Sequence, residues 1–172
     1  MREEKIVFTK SSFETKKFAE KLAPLLRAGD VISLTGDLGA GKTCFVQGLA
    51  CGLRVNKKIT SPTFALIKEY LNSSNIPFYH FDVYRLKFLQ EMLDIGYEEY
   101  FFGEGITVVE WGDKIAPLLP DEFLEIKFKR LSNENMRKIS IISHGKRWAE
   151  TAKNWLKESR KDLCTDINTS EA

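Results

Sequence analysis

The sequence predicts an α/β fold: a parallel central sheet extended by antiparallel strands, with helices packed on it. Three observations predict this. Short apolar runs bounded by turn signals, "DVISLT" (30–35) and "GITVVEWG" (105–112), have the character of strands buried on both faces. A glycine-rich stretch, "GDLGAGKT" (36–43), stands between the first of these runs and a helical segment, giving strand, loop and helix in succession. Near the C-terminal end, "EFLEIKFKRL" (122–131) and "MRKISIIS" (136–143) alternate in polarity on either side of the turn "SNEN", as an antiparallel hairpin does.

The remaining elements follow in order. "KIVFT" (5–9) reads as a short strand. "SSFETKKFAEKLAPLL" reads as a helix, because Ser11 and Glu14 form a capping box and Phe18, Leu22 and Leu25 fall on one face. "KTCFVQGLACGL" (42–53) is a second helix, ending near Gly52. "NKKITSPT" (56–63) is polar and contains a proline, so it is a loop. "FALIKEY" (64–70) reads as a strand, "LNSSN" (71–75) as a turn and "PFYHFDVYRL" (77–86) as β-rich. "EMLDIGYEEYFF" (91–102) is helical in part, and "KRWAETAKNWLKES" (146–159) is a last amphipathic helix. Residues 1–159 are expected to form one domain, and the polar remainder, 160–172, a loose tail.

Composition narrows the function classes. The chain has 172 residues, 43% hydrophobic and 29% charged, the balance of a globular domain with a full core. No apolar run approaches the roughly 20 residues of a membrane span. The N-terminal "MREEKIVF" has no signal-like apolar region, so the expected compartment is the cytoplasm, with no membrane partner. Cys44, Cys51 and Cys164 lack metal-ligand spacing and read as reduced thiols. The net charge of +2 is too weak to argue a nucleic-acid surface unaided.

The spacing of "GDLGAGKT" is GxxxxGK[ST], with Gly36, Gly41, Lys42 and Thr43. Glycines let the backbone curl so that N–H groups point inward at phosphate oxygens, and the helix N-terminus adds partial positive charge. Lys42 is then a cation for the β- and γ-phosphates, and Thr43 offers its hydroxyl to Mg²⁺. A chance match in a chain of this size is on the order of 1%.

Such a site needs an acid at the end of a buried strand. Glu110 closes the clean apolar strand "GITVVE", which makes it the better metal ligand; Asp82, inside "FYHFD", then suits water positioning or support. "ITSPTF" (59–64) carries Thr60, Ser61 and Thr63, whose hydroxyls serve equally a switch that senses a γ-phosphate or an ordinary turn. Arg85 is open to two readings, an arginine finger or a surface ion pair. Trp111 should lie near the site if Glu110 does. His80 and His144 read as structural histidines, and the two tryptophans of "KRWAETAKNWLK" as packing residues.

Taken together, "GDLGAGKT", "SPTF", "FDVYRL" and "VVEWGDK", in this order and spacing, resemble the bacterial TsaE (YjeE) family, small P-loop ATPases needed to make threonylcarbamoyladenosine in tRNA. The resemblance runs from the N-terminal helix to about Trp148. It implies a three-layer P-loop NTPase-like fold with helices on both faces, and ATP and Mg²⁺ as cofactors. It implies ATP contacts from Leu38, Gly39, Ala40, Gly41, Lys42 and Thr43, with Thr43 and Glu110 at the metal and Asp82 and Lys42 in catalysis. It further implies a switch role for Thr63, a functional Trp111, and Ser11, Ser12 and Phe13 beside the adenine. The partners it implies are the TsaD–TsaB threonylcarbamoyl transferase subunits, with tRNA reached indirectly through them.

Two other classes of P-loop protein fit the sequence less well. A small-molecule kinase needs an acceptor pocket and an arginine-bearing lid, but Arg85, Arg130 and Arg137 are scattered along the sequence. A GTPase needs NKxD and DxxG motifs; "NKKI" (56–59) lacks the aspartate, and DxxG is absent. The expected activity is therefore partner-activated ATP hydrolysis.

Overall fold

The computed structural model describes residues 3–133 and 135–160. Seven strands form one mixed sheet: β1 (Glu3–Thr9), β2 (Val31–Gly36), β3 (Ile67–Leu71), β4 (Pro77–Asp82), β5 (Ile106–Glu110), β6 (Phe123–Arg130) and β7 (Arg137–His144). Their spatial order is β1-β7-β6-β2-β5-β4-β3. The pairs β2–β5, β2–β6 and β4–β5 are parallel, whereas β1–β7, β6–β7 and β3–β4 are antiparallel. The sheet is thus parallel at its centre and antiparallel at both edges, as the sequence predicts.

Apolar continuity explains the centre. Every residue of β5 is buried, as are the first five of β2, because helices cover both faces there. On one face, α1 (Ser12–Leu22), α2 (Lys42–Gly52) and α5 (Lys146–Ser159) enclose the larger core. Phe18 stacks on Trp155 at 4.1 Å, and the Trp155 indole N–H donates to the Phe18 carbonyl at 2.8 Å. On the other face, α3 (Gln90–Asp94), α4 (Tyr97–Phe101) and the 3-10 segment Gly112–Leu118 cover a smaller core around Phe81, Met92 and Val109. The Arg147 guanidinium grips the Asp30 carboxylate with two donors, at 2.5 and 2.8 Å, tying α5 to the start of β2.

Local chemistry sets the boundaries. Ser11 Oγ accepts from Glu14 N at 3.1 Å, and Glu14 accepts from Lys10 N at 2.7 Å, so the predicted cap forms. The helix is shorter than expected: Pro24 turns its end into a 3-10 segment, Ala23–Leu25. The strand expected from Phe64 starts only at Ile67, because residues 62–66 turn on Pro62 and Leu66 adopts φ +66°. The segment 91–102 divides into α3 and α4 at Gly96, whose φ is +66°. β6 alternates between buried and outer positions as predicted; β7 does not, because β1 pairs on its far side and makes it an interior strand. The expected tail lies outside the described residues apart from Arg160. Among the described residues, no helix is long and apolar enough to cross a membrane.

Candidate functional site

Parallel pairing brings the carboxyl ends of β2, β5 and β4 to one edge of the sheet, where an open cleft of about 470 Å³ lies. The glycine-rich loop leaves β2 there. Gly36, Gly39 and Gly41 hold φ values of +132°, +73° and +113°, which curl the backbone around to the start of α2. The first N–H groups of α2 have no partner within the helix, so this turn presents donors and the positive end of the helix dipole to the cleft.

Lys42 begins α2 and is only 4% exposed. Its Nζ donates to the Gly36 and Asp37 carbonyls at 2.5 and 2.9 Å and lies 3.8 Å from the centroid of the Trp111 ring. Burial pulls its pKa below the usual 10.5, opposed by the nearby charges of Glu110, Asp82, Asp37 and Asp113. Trp111 reaches under the lysine because its backbone adopts φ +65° directly after β5, and Tyr84 packs against it at 4.9 Å.

Glu110 and Asp82 are opposite one another in the β4–β5 register, and both are buried. They have different partners. The Thr43 hydroxyl lies 2.9 Å from each Glu110 carboxylate oxygen. His80 Nε2 lies 2.8 Å from Glu110 Oε1, and His80 Nδ1 has no partner. Asp82 Oδ2 accepts from Ser61 and Thr63 at 2.5 and 3.0 Å, while Oδ1 accepts from Tyr84 N at 3.0 Å. Asp82 therefore holds the 59–64 loop, and Glu110 faces the start of α2.

Of the other residues predicted for the site, Ser12, Leu38, Gly39, Gly41, Thr63 and Arg85 line the cleft. Among the described residues Arg85 forms no ion pair; its guanidinium stacks 4.1 Å over Phe64, a ring that is 86% exposed. Ser11, Phe13, Ala40 and Thr60 do not line the cleft. Ser11 caps α1, Phe13 is exposed beside Lys17, and Ala40 is core; Thr60 Oγ1 meets Lys68 Nζ at 2.5 Å.

Sequence reasoning missed four neighbours. Arg130 and Arg137, distant in sequence, pair across the β6–β7 hairpin and flank Gly39 and Gly41. Arg137 also lines the cleft. The hairpin register was the signal that could have found them. His80 stands two residues before Asp82, on the same face of β4 by strand periodicity, and that spacing pointed to the site. Cys44 also lines the cleft; its thiol donates to the Ser12 carbonyl at 3.2 Å, and burial raises its pKa.

A glycine-rich loop between the central strand and its helix, with buried acids closing the next two strands, defines a P-loop NTPase-like α/β protein. The profile of the family described as "Threonylcarbamoyl adenosine biosynthesis protein TsaE" matches residues 9–139, and the chain belongs to that family. It is 45% identical over 135 residues to a tRNA threonylcarbamoyladenosine biosynthesis protein TsaE of Bacillus subtilis (strain 168), covering 78% of this chain and 83% of that one. It is 41% identical over 133 residues to the protein of the same description from Treponema pallidum (strain Nichols), covering 77% and 96%. The crystal structure of Bacillus subtilis YdiB is similar at a TM-score of 0.77 and 36% identity, over 92% of this chain and 97% of that one.

Proposed function

We propose that the chain binds MgATP in this cleft and hydrolyses it to support threonylcarbamoyladenosine modification of tRNA. The observation that carries the reading is the convergence of Lys42, Thr43 and Glu110 at the mouth of the glycine-rich turn, with the Thr43 hydroxyl 2.9 Å from both Glu110 oxygens. Hydroxyl and carboxylate are hard oxygen donors, the chemistry that suits Mg²⁺, which takes few protein ligands and completes its shell with water and phosphate. The donor set fits that ion. When bound, Mg²⁺ neutralises charge that develops on the transferred phosphoryl group.

The chain's own residues do the rest. Loop N–H groups and Lys42 bind the triphosphate. To do so, Lys42 exchanges its two carbonyl acceptors for phosphate oxygens while Trp111 limits its rotation. Asp82, which accepts from Ser61 and Thr63, orients the attacking water and ties that step to the position of the 59–64 loop. Arg85 and Arg137 supply positive charge at the rim. Ser12 and its neighbours Ser11 and Phe13 lie on the side that receives the base.

Among the described residues, the 59–64 loop is the segment beside the two acids that can close over the phosphates, through Ser61 and Thr63. Completing a phosphoryl-transfer site contributes roughly 10³-fold or more in rate, so a partner that orders the loop controls turnover. The family's role nominates the TsaD–TsaB pair, with tRNA engaged through it, in the cytoplasm. The test is ATP hydrolysis by the full chain with and without TsaD–TsaB. Slow turnover alone and marked acceleration by the pair are expected. A high solo rate indifferent to the pair, or phosphate transferred to a small metabolite, refutes the assignment.

A further inference from the structure

The geometry points to His80 as a positioning residue for Glu110: its Nε2–H holds the carboxylate in the orientation that receives Thr43 and thereby sets the magnesium dependence of nucleotide binding. This assignment rests on the MgATP reading of the cleft.

His80 and Asp82 lie on one face of β4, and Val108 and Glu110 on one face of β5. The register pairs His80 with Val108 and Asp82 with Glu110, so all four share one face of the sheet. That face carries the larger core, to which Val108 and α2 residues such as Phe45 belong. Glu110 thus points toward the helix that bears Thr43, with His80 diagonal to it on the interior side.

His80 is fully buried, and its Nε2 lies 2.8 Å from Glu110 Oε1. A carboxylate only accepts, so the imidazole donates. Nδ1 is buried with no partner, and a proton there would be an unpaired donor in the core. The ring therefore carries its proton on Nε2, the atom that faces the acid. Among the described residues, His80 has a single polar partner, and that partner is the acid that faces Thr43.

Thr43 cannot fix Glu110 alone, because a hydroxyl rotates about its bond and reaches both oxygens equally, at 2.9 Å. The buried ring cannot rotate away, so it distinguishes Oε1, which it holds, from Oε2 and fixes the plane in which the carboxylate meets Thr43. His80 does not line the cleft and contacts neither phosphate nor metal itself. This is the arrangement in which an outer partner orients a metal-binding carboxylate, and loss of such partners typically costs 10–100-fold in metal affinity.

The experiment compares the full-length parent with His80→Phe, His80→Gln and Lys42→Ala, using calorimetric titration of ADP across a Mg²⁺ series and in EDTA. His80→Phe keeps the ring shape and removes the donor. It should raise the Mg²⁺ concentration for half-maximal tightening by about 10–100-fold, with ADP affinity in EDTA unchanged. His80→Gln, whose amide N–H reaches the same oxygen, should recover most of the dependence. Nitrogen-15 spectra of the parent read the tautomer directly, whether or not a variant folds. A proton on Nε2, a bare Nδ1, and an Nε2–H resonance that shifts when Mg²⁺ is added to the ADP complex are expected. Parental Mg²⁺ dependence in His80→Phe, or a proton on Nδ1, overturns the assignment. Loss of ADP binding in Lys42→Ala alongside an indifferent His80→Phe refutes only the role of His80. Unaltered ADP binding in Lys42→Ala instead refutes the reading beneath it.

Discussion

Gly36→Ala should damage both the fold and the site, and the size of the effect follows from where its Cβ would go. Gly36 is the last residue of β2 and is paired with Phe128 of β6. A Cβ at this position would lie 2.3 Å from the Phe128 carbonyl oxygen and 3.1 Å from the Phe128 carbonyl carbon and Cβ, at φ +132°. Relief requires a displacement of roughly 1 Å against a backbone atom in a paired strand, not the tip of a flexible side chain. The left-handed φ costs about 1–2 kcal/mol. Loosening the strand pair costs about 1 kcal/mol more. Shifting the Gly36 carbonyl off buried Lys42 adds about 1.5–3 kcal/mol, since that bond is charge-assisted. The total of about 4–6 kcal/mol corresponds to a drop of roughly 10–20 °C in Tm for a domain of this size. Gly96→Ala is the matched control. Its φ is +66°, but nothing lies within 4 Å of its Cβ, so it carries only the dihedral penalty, a shift of roughly 2–6 °C. Differential scanning calorimetry on the two variants separates the contributions. Equal Tm losses would show that the approach of β6 to Gly36 does not restrict this turn.

Four further outcomes are expected. Glu110→Gln should leave ADP binding measurable but remove most of its Mg²⁺ dependence, whereas Asp82→Ala should impair hydrolysis more than binding; calorimetry and a phosphate-release assay would expose a reversal. Trp111 emission should change on MgATP addition as Lys42 leaves its ring, an effect read in variants lacking the other two tryptophans and absent if the lysine stays put. Burial holds Lys42 below its usual pKa, so the unfolded chain binds this proton more tightly and stability should rise as pH climbs through the folded value toward 10.5; Lys42→Met should flatten that part of the denaturation-midpoint profile. Cys44, half-buried and with its pKa raised by desolvation, should react with a thiol reagent more slowly than exposed Cys51 near neutral pH, and more slowly still with MgATP present; faster reaction at Cys44 would contradict that half-buried placement.

The parts of the fold that were legible in the sequence are those with short-range causes. "DVISLT" and "GITVVEWG" carry apolar residues on both faces because helices cover both faces of β2 and β5, and the Ser11–Glu14 pair marked the start of α1. The glycine-rich loop was readable because its conformation needs residues without a Cβ at fixed spacing. Long-range register was not legible. Whether His80 meets Glu110, or the hairpin arginines reach the glycine-rich loop, depends on how distant strands align, and residue types alone do not encode that alignment. Thr60 and Thr63 look alike in "ITSPTF", yet Pro62 between them turns the chain so that Thr63 meets Asp82 and Thr60 meets Lys68. Only the three-dimensional turn separates the two hydroxyls.

Lys42, Thr43 and Glu110 are proposed to form a MgATP site. Calorimetric titration of the full chain with ATP, with Mg²⁺ and with EDTA, and of Lys42→Ala under the same conditions, tests it most directly. Saturable one-site binding by the parent, tightened by Mg²⁺, is expected, with loss of that binding in Lys42→Ala while the variant stays folded by circular dichroism at the titration temperature. Equal ATP affinity in parent and variant, or parental binding that ignores Mg²⁺, would contradict it.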